Sequence, residues 1–258
     1  MSKFYYLFLR MWTKLWQNFL TNPAVIDFII EDIKNNADLN LDMFEVGPWK
    51  CALTKNLVKI KPDLKVFEKD ESFKDILMQC VKPENIILWD FLKANISKYV
   101  NTDFFNAVWN LPYYITSPIF RKLVMEKEKK MKYWIFMVQK EVWEKIKTDA
   151  KNKSMLWYLL NANFKITYLK TVPASDFSPP PKVDSCLVRF EYTWENEDID
   201  MNDLFNILSI ITPIKKKTLW KIQKLLEKQW KKLVLPESLK DKRIHQLSFE
   251  ELKQIKIK

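Results

Sequence analysis

Apolar positions along this chain recur at two spacings. Over residues 24–35 (Ala-Val-Ile-Asp-Phe-Ile-Ile-Glu-Asp-Ile-Lys-Asn) they fall at helical spacing, and Asn22-Pro23 in front supplies a helix start. Leu41 to Val46 is a short apolar run ending at Gly47-Pro48, which reads as a buried strand, and Ala52 to Ile60 returns to the helical period. Leu64 to Phe67, capped by Glu68, and Asn85 to Leu88 predict two further strands, with a helix over Asp75 to Cys80 between them. Ala107-Val108 ends a fourth strand. Helices are expected over 117–129 and 140–149, with the strand Ile135 to Val138 between them. Phe164 to Val172 and Ser185 to Tyr192 flank a Pro-rich turn and predict two antiparallel strands at one sheet edge. Strands alternating with helices place the chain in the α/β class, with a mainly parallel, doubly wound sheet. The acidic stretch Glu195 to Asp200 reads as a linker, and Met201 to Lys258 as a small helical unit. Two domains are therefore expected, 1–194 and 195–258.

Composition adds limits. The 258 residues, 48% of them hydrophobic, suffice for one well-buried α/β domain and an appendage. The first twenty residues are apolar, but Lys3, Arg10 and Lys14 interrupt them below the ~18 residues of a membrane span. Neither a membrane segment nor a signal peptide is expected. Cys51, Cys80 and Cys186 are odd in number, widely spaced and without a nearby His, so a disulfide framework or metal site is not expected and a reduced cytoplasmic setting fits. The net charge is +11, and residues 201–258 hold 14 Lys or Arg against 6 Asp or Glu. Basic residues so placed favour a polyanionic partner, because each neutralised phosphate releases counterions.

In open α/β sheets ligands bind beyond the carboxyl ends of the strands, so the loops after strands are where chemistry is expected. Glu45-Val-Gly-Pro48 turns the first strand into the first helix. Glu68 lies 23 residues on, at the tip of the second strand, where a carboxylate accepts the hydroxyls of a ribose. Asp90 follows the third strand, where a carboxylate receives an adenine amino group. Singly these are ordinary residues. Asn110-Leu-Pro-Tyr113, after the fourth strand, is more specific. An adenine amino nitrogen is a poor nucleophile because its lone pair is delocalised into the ring. The Asn110 side-chain oxygen and the Leu111 carbonyl can hold its two N–H groups and localise that pair, while Tyr113 offers a stacking face. Phe177-Ser-Pro-Pro-Pro-Lys-Val-Asp-Ser185 is a stiff segment that either holds Phe177 over the other face of a base or buries it as a rigid edge connection.

Together these pieces resemble the small-subunit ribosomal RNA adenine N6-dimethyltransferases of the KsgA type. The resemblance rests on Gln17-Asn-Phe-Leu20, Glu45-Val-Gly-Pro48 with Ala52-Leu-Thr54, Glu68, Asp90, Asn110-Leu-Pro-Tyr113, Met137-Val-Gln-Lys-Glu141, Phe177 to Ser185, Lys215 to Leu219 and Arg243 to Glu251. It runs in family order from about residue 14 to 254. It implies a Rossmann-like class I methyltransferase sheet with a small C-terminal helical domain that binds ribosomal RNA. S-adenosylmethionine would be the methyl donor, with no metal. Gln17, Asn18, Leu20, Glu45, Gly47, Glu68, Asp90 and Asn110 would line the cofactor site, and Asn110, Leu111, Tyr113 and Phe177 would grip the target adenine. The implied partner is small-subunit ribosomal RNA or a pre-30S particle, engaged by a cytoplasmic monomer without DNA or membrane. The long Pro-Pro-Pro-Lys-Val-Asp-Ser motif and the Arg243 to Glu251 tail favour this type over the large-subunit methyltransferases of macrolide resistance.

One departure runs through the motifs. The chain has a single Gly, Gly47, and 11 Trp. Trp16, Trp49, Trp89 and Trp109 stand where the family has glycine, as does Cys51, and Trp220 is a further such position. Random drift does not favour the bulkiest residue, whereas reading UGA as tryptophan where a cell reads it as glycine does. Genuine tryptophans at 49 and 109 would instead favour a catalytically silent RNA-binding relative.

Overall fold

The computed structural model describes residues 18–109, 115–126, 128–147, 153–228 and 232–257, and of Trp109 the backbone alone. The chain begins with β1 (Phe19–Leu20) and α1 (Pro23–Asn36), then β2 (Asp42–Val46), α2 (Thr54–Ile60), β3 (Lys65–Glu68), the short α3 (Lys74–Leu77) and β4 (Ile86–Leu88). There follow β5 (Phe104–Trp109), α4 (Thr116–Val124), β6 (Lys130–Gln139), α5 (Lys140–Ile146) and α6 (Met155–Asn161). Next come β7 (Phe164–Val172), β8 (Phe177–Ser178) and β9 (Ser185–Tyr192). The C-terminal part holds α7 (Met201–Ile211), α8 (Leu219–Glu227), β10 (Leu233–Val234), α9 (Phe249–Leu252) and β11 (Lys256–Ile257).

Seven strands form one sheet in the order β4-β3-β2-β5-β6-β9-β7. The first five are parallel, and β9 runs antiparallel to both its neighbours, β6 and β7. The two predicted edge strands do pair over the expected residues, but β9 lies inside, between β6 and β7, and only β7 is an edge. Other boundaries shift. The helix expected from Ala52 starts at Thr54, that over Asp75 to Cys80 is the single turn of α3, and the strand at Ile135 to Val138 spans Lys130–Gln139. The last shift has a simple cause: β6 opens on Lys130-Met-Lys-Tyr133, which alternates in burial, and only its later part is the unbroken apolar run that marks a buried strand.

Both faces of the sheet are covered. Phe44, Val46, Phe105, Ala107, Trp134 and Phe136 point to one face, packed by α4, α6 and the C-terminal helices. Met43, Val108, Tyr133, Ile135 and Met137 point to the other, packed by α1 and α2. α1 is set by its sequence: the Asn22 side chain caps it by accepting from the Ala24 N–H at 2.9 Å, and Val25, Ile26, Ile29, Ile30 and Ile33 are buried along one stripe. Burial of each is worth about 1.5–3 kcal/mol, far above the propensity cost of β-branched residues in a helix.

The acidic stretch after β9 is tied down at its middle, to the sheet on one side and the C-terminal part on the other. Glu197 pairs with Lys130 at 2.8 Å, and Asp198 with Lys253 at 2.8 Å. Beyond it, α7 is capped by Asp200, whose carboxylate accepts from the Asn202 and Asp203 N–H groups. The Tyr158 hydroxyl of α6 donates to the Ile244 and Leu247 carbonyls, and the Arg121 guanidinium of α4 lies 3.9 Å from the Phe205 ring centre. These contacts dock the C-terminal helices on the α4–α6 face.

Candidate active site

The strand order reverses between β2 and β5, and the loops there hold the predicted site residues. Glu45 sits one residue before the end of β2, 4% exposed. Its Oε2 has no hydrogen-bond partner among the described residues. Burial pushes its pKa up to about 8; the Thr54 hydroxyl beside it acts the other way, and the Glu68 charge adds to the rise.

Gly47 then turns the chain at φ 71°, its N–H donating to the Phe67 carbonyl at 2.8 Å. The left-handed conformation suits glycine. The next turn repeats it with side chains present, Trp49 at φ 46° and Cys51 at φ 60°. For L-residues with a Cβ this costs about 1–2 kcal/mol each. The Cys51 thiol is buried against Cys80 and held above its ordinary pKa, chiefly by burial.

Glu68 closes β3 at 5% exposure. Its Oε1 accepts the Lys69 and Asp70 N–H groups, both at 2.8 Å, while Oε2 is buried with no partner among the described residues. Burial raises its pKa, and the N–H groups of Asp70, Lys69 and Trp49 oppose the rise. A carboxylate so held is already oriented and still lacks donors, which a ribose diol supplies. Asp90, after β4, caps the following turn by accepting from the Leu92 N–H at 3.1 Å, and its Oδ2 pairs with Lys69 at 3.1 Å. Lys69 is exposed, so that ion pair is a weak competitor for a ligand.

The structure joins two motifs that lie far apart in the chain. Leu20 of β1 pairs with Phe177 of β8, and Phe19 with Ser178. The Thr21 N–H and hydroxyl both donate to the Asp176 carbonyl. Asn18 and Leu20 are thus brought to the Phe177 segment, and Leu20 also lines the space beside Glu45. The Phe177 ring is 4% exposed, packed in the same core cluster as Leu20 and Val172. Gln17, Asn110, Leu111 and Tyr113 lie outside the described residues, as does Trp16.

Thr54, absent from the predicted site set, is fully buried beside Glu45. Its signal was its place in the Ala52-Leu-Thr54 stretch after the turn. Among the described residues no group of three or more His, Cys, Asp or Glu is placed to hold a metal ion, and no helix is long and apolar enough to cross a membrane.

The polar groups thus fit an adenosyl ligand, but the space does not. A cavity of about 40 Å³ remains beside Glu45, lined by Phe19, Leu20, Gly47, Trp49 and Val108. Small-molecule sites are typically about 300–1,000 Å³. The Trp49 indole, 7% exposed and edge-on to Phe19 at 5.4 Å, takes up the room.

A seven-stranded sheet of this order, with carboxylates at its switch point, defines a Rossmann-like class I methyltransferase. The chain belongs to the ribosomal RNA adenine dimethylase family, whose model matches residues 9–256. It is 31% identical over 242 residues to the ribosomal RNA small subunit methyltransferase A of Hydrogenobaculum sp., covering 93% of this chain and 89% of that one. The Clostridium acetobutylicum and Mycoplasmopsis pulmonis proteins of the same name are 32% and 34% identical, covering 84% and 79% of this chain and 81% and 79% of theirs. In fold the chain is similar to a dimethyladenosine transferase from Plasmodium falciparum, at TM-score 0.71 and 24% identity, over 92% of this chain and 95% of that one. It is also similar to a 23S rRNA methyltransferase, at TM-score 0.63 and 23% identity, over 82% and 84%.

Proposed function

We propose that this protein dimethylates N6 of adjacent adenines in small-subunit (16S) ribosomal RNA during ribosome biogenesis. The observation that carries the reading is the buried Glu68 carboxylate at the switch point, with one oxygen fixed by two backbone N–H groups and the other lacking a donor. S-adenosylmethionine, when bound, supplies an electrophilic methyl group on a sulfonium. Glu68 would accept the ribose hydroxyls and Asp90 the adenine amino group of that cofactor. Gln17, Asn18, Leu20, Glu45, Gly47 and Asn110 would line the rest of its site. Glu45, with a pKa of about 8, is largely uncharged at neutral pH.

The target adenine would be splayed from the RNA, since a base inside a helix is unreachable. The Asn110 side-chain oxygen and the Leu111 carbonyl would accept its two amino hydrogens, with Tyr113 and Phe177 flanking the ring. These two acceptors would localise the N6 lone pair toward the methyl group that the cofactor would supply, and the displaced N6 proton would leave to solvent. A second round gives the dimethylated base. We assign residues 195–258 as the rRNA-binding domain of a cytoplasmic monomer that binds neither DNA nor membrane. The substrate is the RNA itself or a pre-30S particle.

The test is transfer of labelled methyl groups to purified small and large ribosomal subunits by protein carrying glycine at 16, 49, 89 and 109. Label in adenines of the small-subunit RNA is expected. Label confined to large-subunit RNA or to DNA would refute the reading.

A further inference from the structure

A buried indole beside Glu45, on a turn of positive φ that suits glycine, points to the identity of residue 49. Four described residues other than glycine have positive φ: Trp49 at 46°, Cys51 at 60°, Trp194 at 64° and Asn196 at 52°. Asn tolerates that region because its short side chain bonds locally, but for a bulky residue it is an outlier. Two of the four are tryptophan, in a chain with 11 Trp and one Gly among 258 residues. Trp194 belongs to none of the motifs that mark the other tryptophans. The residue is 53% exposed, and its ring packs edge-on only against Phe104 and Tyr192 at the surface, at 4.9 and 5.1 Å.

Two other described tryptophans behave differently. Trp134 is fully buried in β6 against Phe120 and Phe190, and Trp157 in α6 stacks on Phe249 and donates its indole N–H to the Lys147 carbonyl at 2.8 Å. Both have ordinary backbone and fill space that glycine would leave empty.

We infer that positions 49 and 194 are glycine in the protein its own cell makes, through UGA codons read there as glycine, whereas 134 and 157 are tryptophan. Cys51 stays cysteine, since no such codon specifies it. A glycine at position 49 would free the turn to take its φ without strain and would clear the space between Phe19 and Glu45. The inference stands on backbone angles and packing, independent of the reaction proposed above.

Mass spectrometry of tryptic peptides from the native protein tests it. The peptides 35–50 and 190–215 are expected at the masses of glycine-containing chains, and those covering 134 and 157 at tryptophan masses. Tryptophan at 49 or 194, or glycine at 134 or 157, would overturn it. In recombinant protein, Trp49→Gly is expected to raise S-adenosylmethionine affinity by at least about ten-fold. Unchanged affinity would show that the indole does not block the site. Glycine at 49 in a protein that methylates no ribosomal RNA would refute the proposed function and leave this inference standing.

Discussion

Glu45→Gln separates the cost of a buried carboxylate from its use. In the folded chain Glu45 titrates at about 8, against an ordinary value of 4.5, mainly because burial disfavours the charge. Below pH about 4.5 the carboxyl is neutral in folded and unfolded chains alike. Between there and about 8 the unfolded chain has released the proton and the folded chain keeps it, so folding stability falls as pH rises. Above about 8 both are ionised and the loss is complete. At 1.36 kcal/mol per pH unit, a window from 4.5 to about 8 amounts to about 5 kcal/mol as a ceiling. Relaxation around the buried group lowers this, so about 2 kcal/mol is the smallest loss expected. Gln has the same shape and stays neutral, so its stability should lack this slope. Urea unfolding of both proteins at pH 5, 7 and 9 measures the difference. The wild-type free energy should drop relative to Glu45→Gln by about 2–5 kcal/mol from pH 5 to 9. Parallel curves would mean that Glu45 is solvated and that its lone Oε2 signals nothing.

Glu68→Gln, in protein that also carries Trp49→Gly, should weaken S-adenosylmethionine binding by about 10–100-fold in calorimetric titration, since a hydrogen bond to a charged group is worth about 1.5–3 kcal/mol. An unchanged Kd would remove Glu68 from the site. Tyr113→Ala should lower methyl-transfer turnover far more than cofactor affinity, as base–aromatic stacking is worth about 1–3 kcal/mol; parallel loss of both would contradict the assigned role. Phe177→Ala should also lower the unfolding free energy by about 3–5 kcal/mol, because its ring is buried, and a stability within about 1 kcal/mol of wild type would contradict that burial. Changing Lys215, Lys216 and Lys217 to Gln should flatten the dependence of RNA affinity on log salt by up to about 0.9 per lost phosphate contact, in filter binding at several salt concentrations. An identical slope would show these lysines to be only a solvated face.

The strands were legible where the chain is buried on both sides, because a run such as Leu41 to Val46 stays apolar whichever face it serves. The carboxylates at 45, 68 and 90 were legible for a related reason: each lies at or next to the end of such a run, and the topology then brings those ends to one edge of the sheet. The pairing of β1 with β8 was not. Two residues on each side carry no period, and their register is set by the contacts of Leu20 and Phe177 with a shared core. That pairing matters for the chemistry, because it carries the Asn18 to Leu20 segment across to the predicted base-stacking residue.

Residue 194 shows the converse limit. Nothing in its neighbours Thr193 and Glu195 announces a left-handed turn, and a tryptophan there reads as an exposed aromatic. Only its φ of 64° exposes the conflict between side chain and backbone. At residue 49 the same conflict was visible earlier, since Gly47-Pro48 marks a turn and a ligand loop needs close backbone approach. The two positions reach one conclusion by separate routes, through motif at one and backbone angle at the other. A degenerate, inactive relative would be expected to lose its site residues along with its glycines. Here the buried carboxylates of Glu45 and Glu68 keep their places at a real cost in stability, and what obstructs the site is one residue type at a turn that calls for glycine.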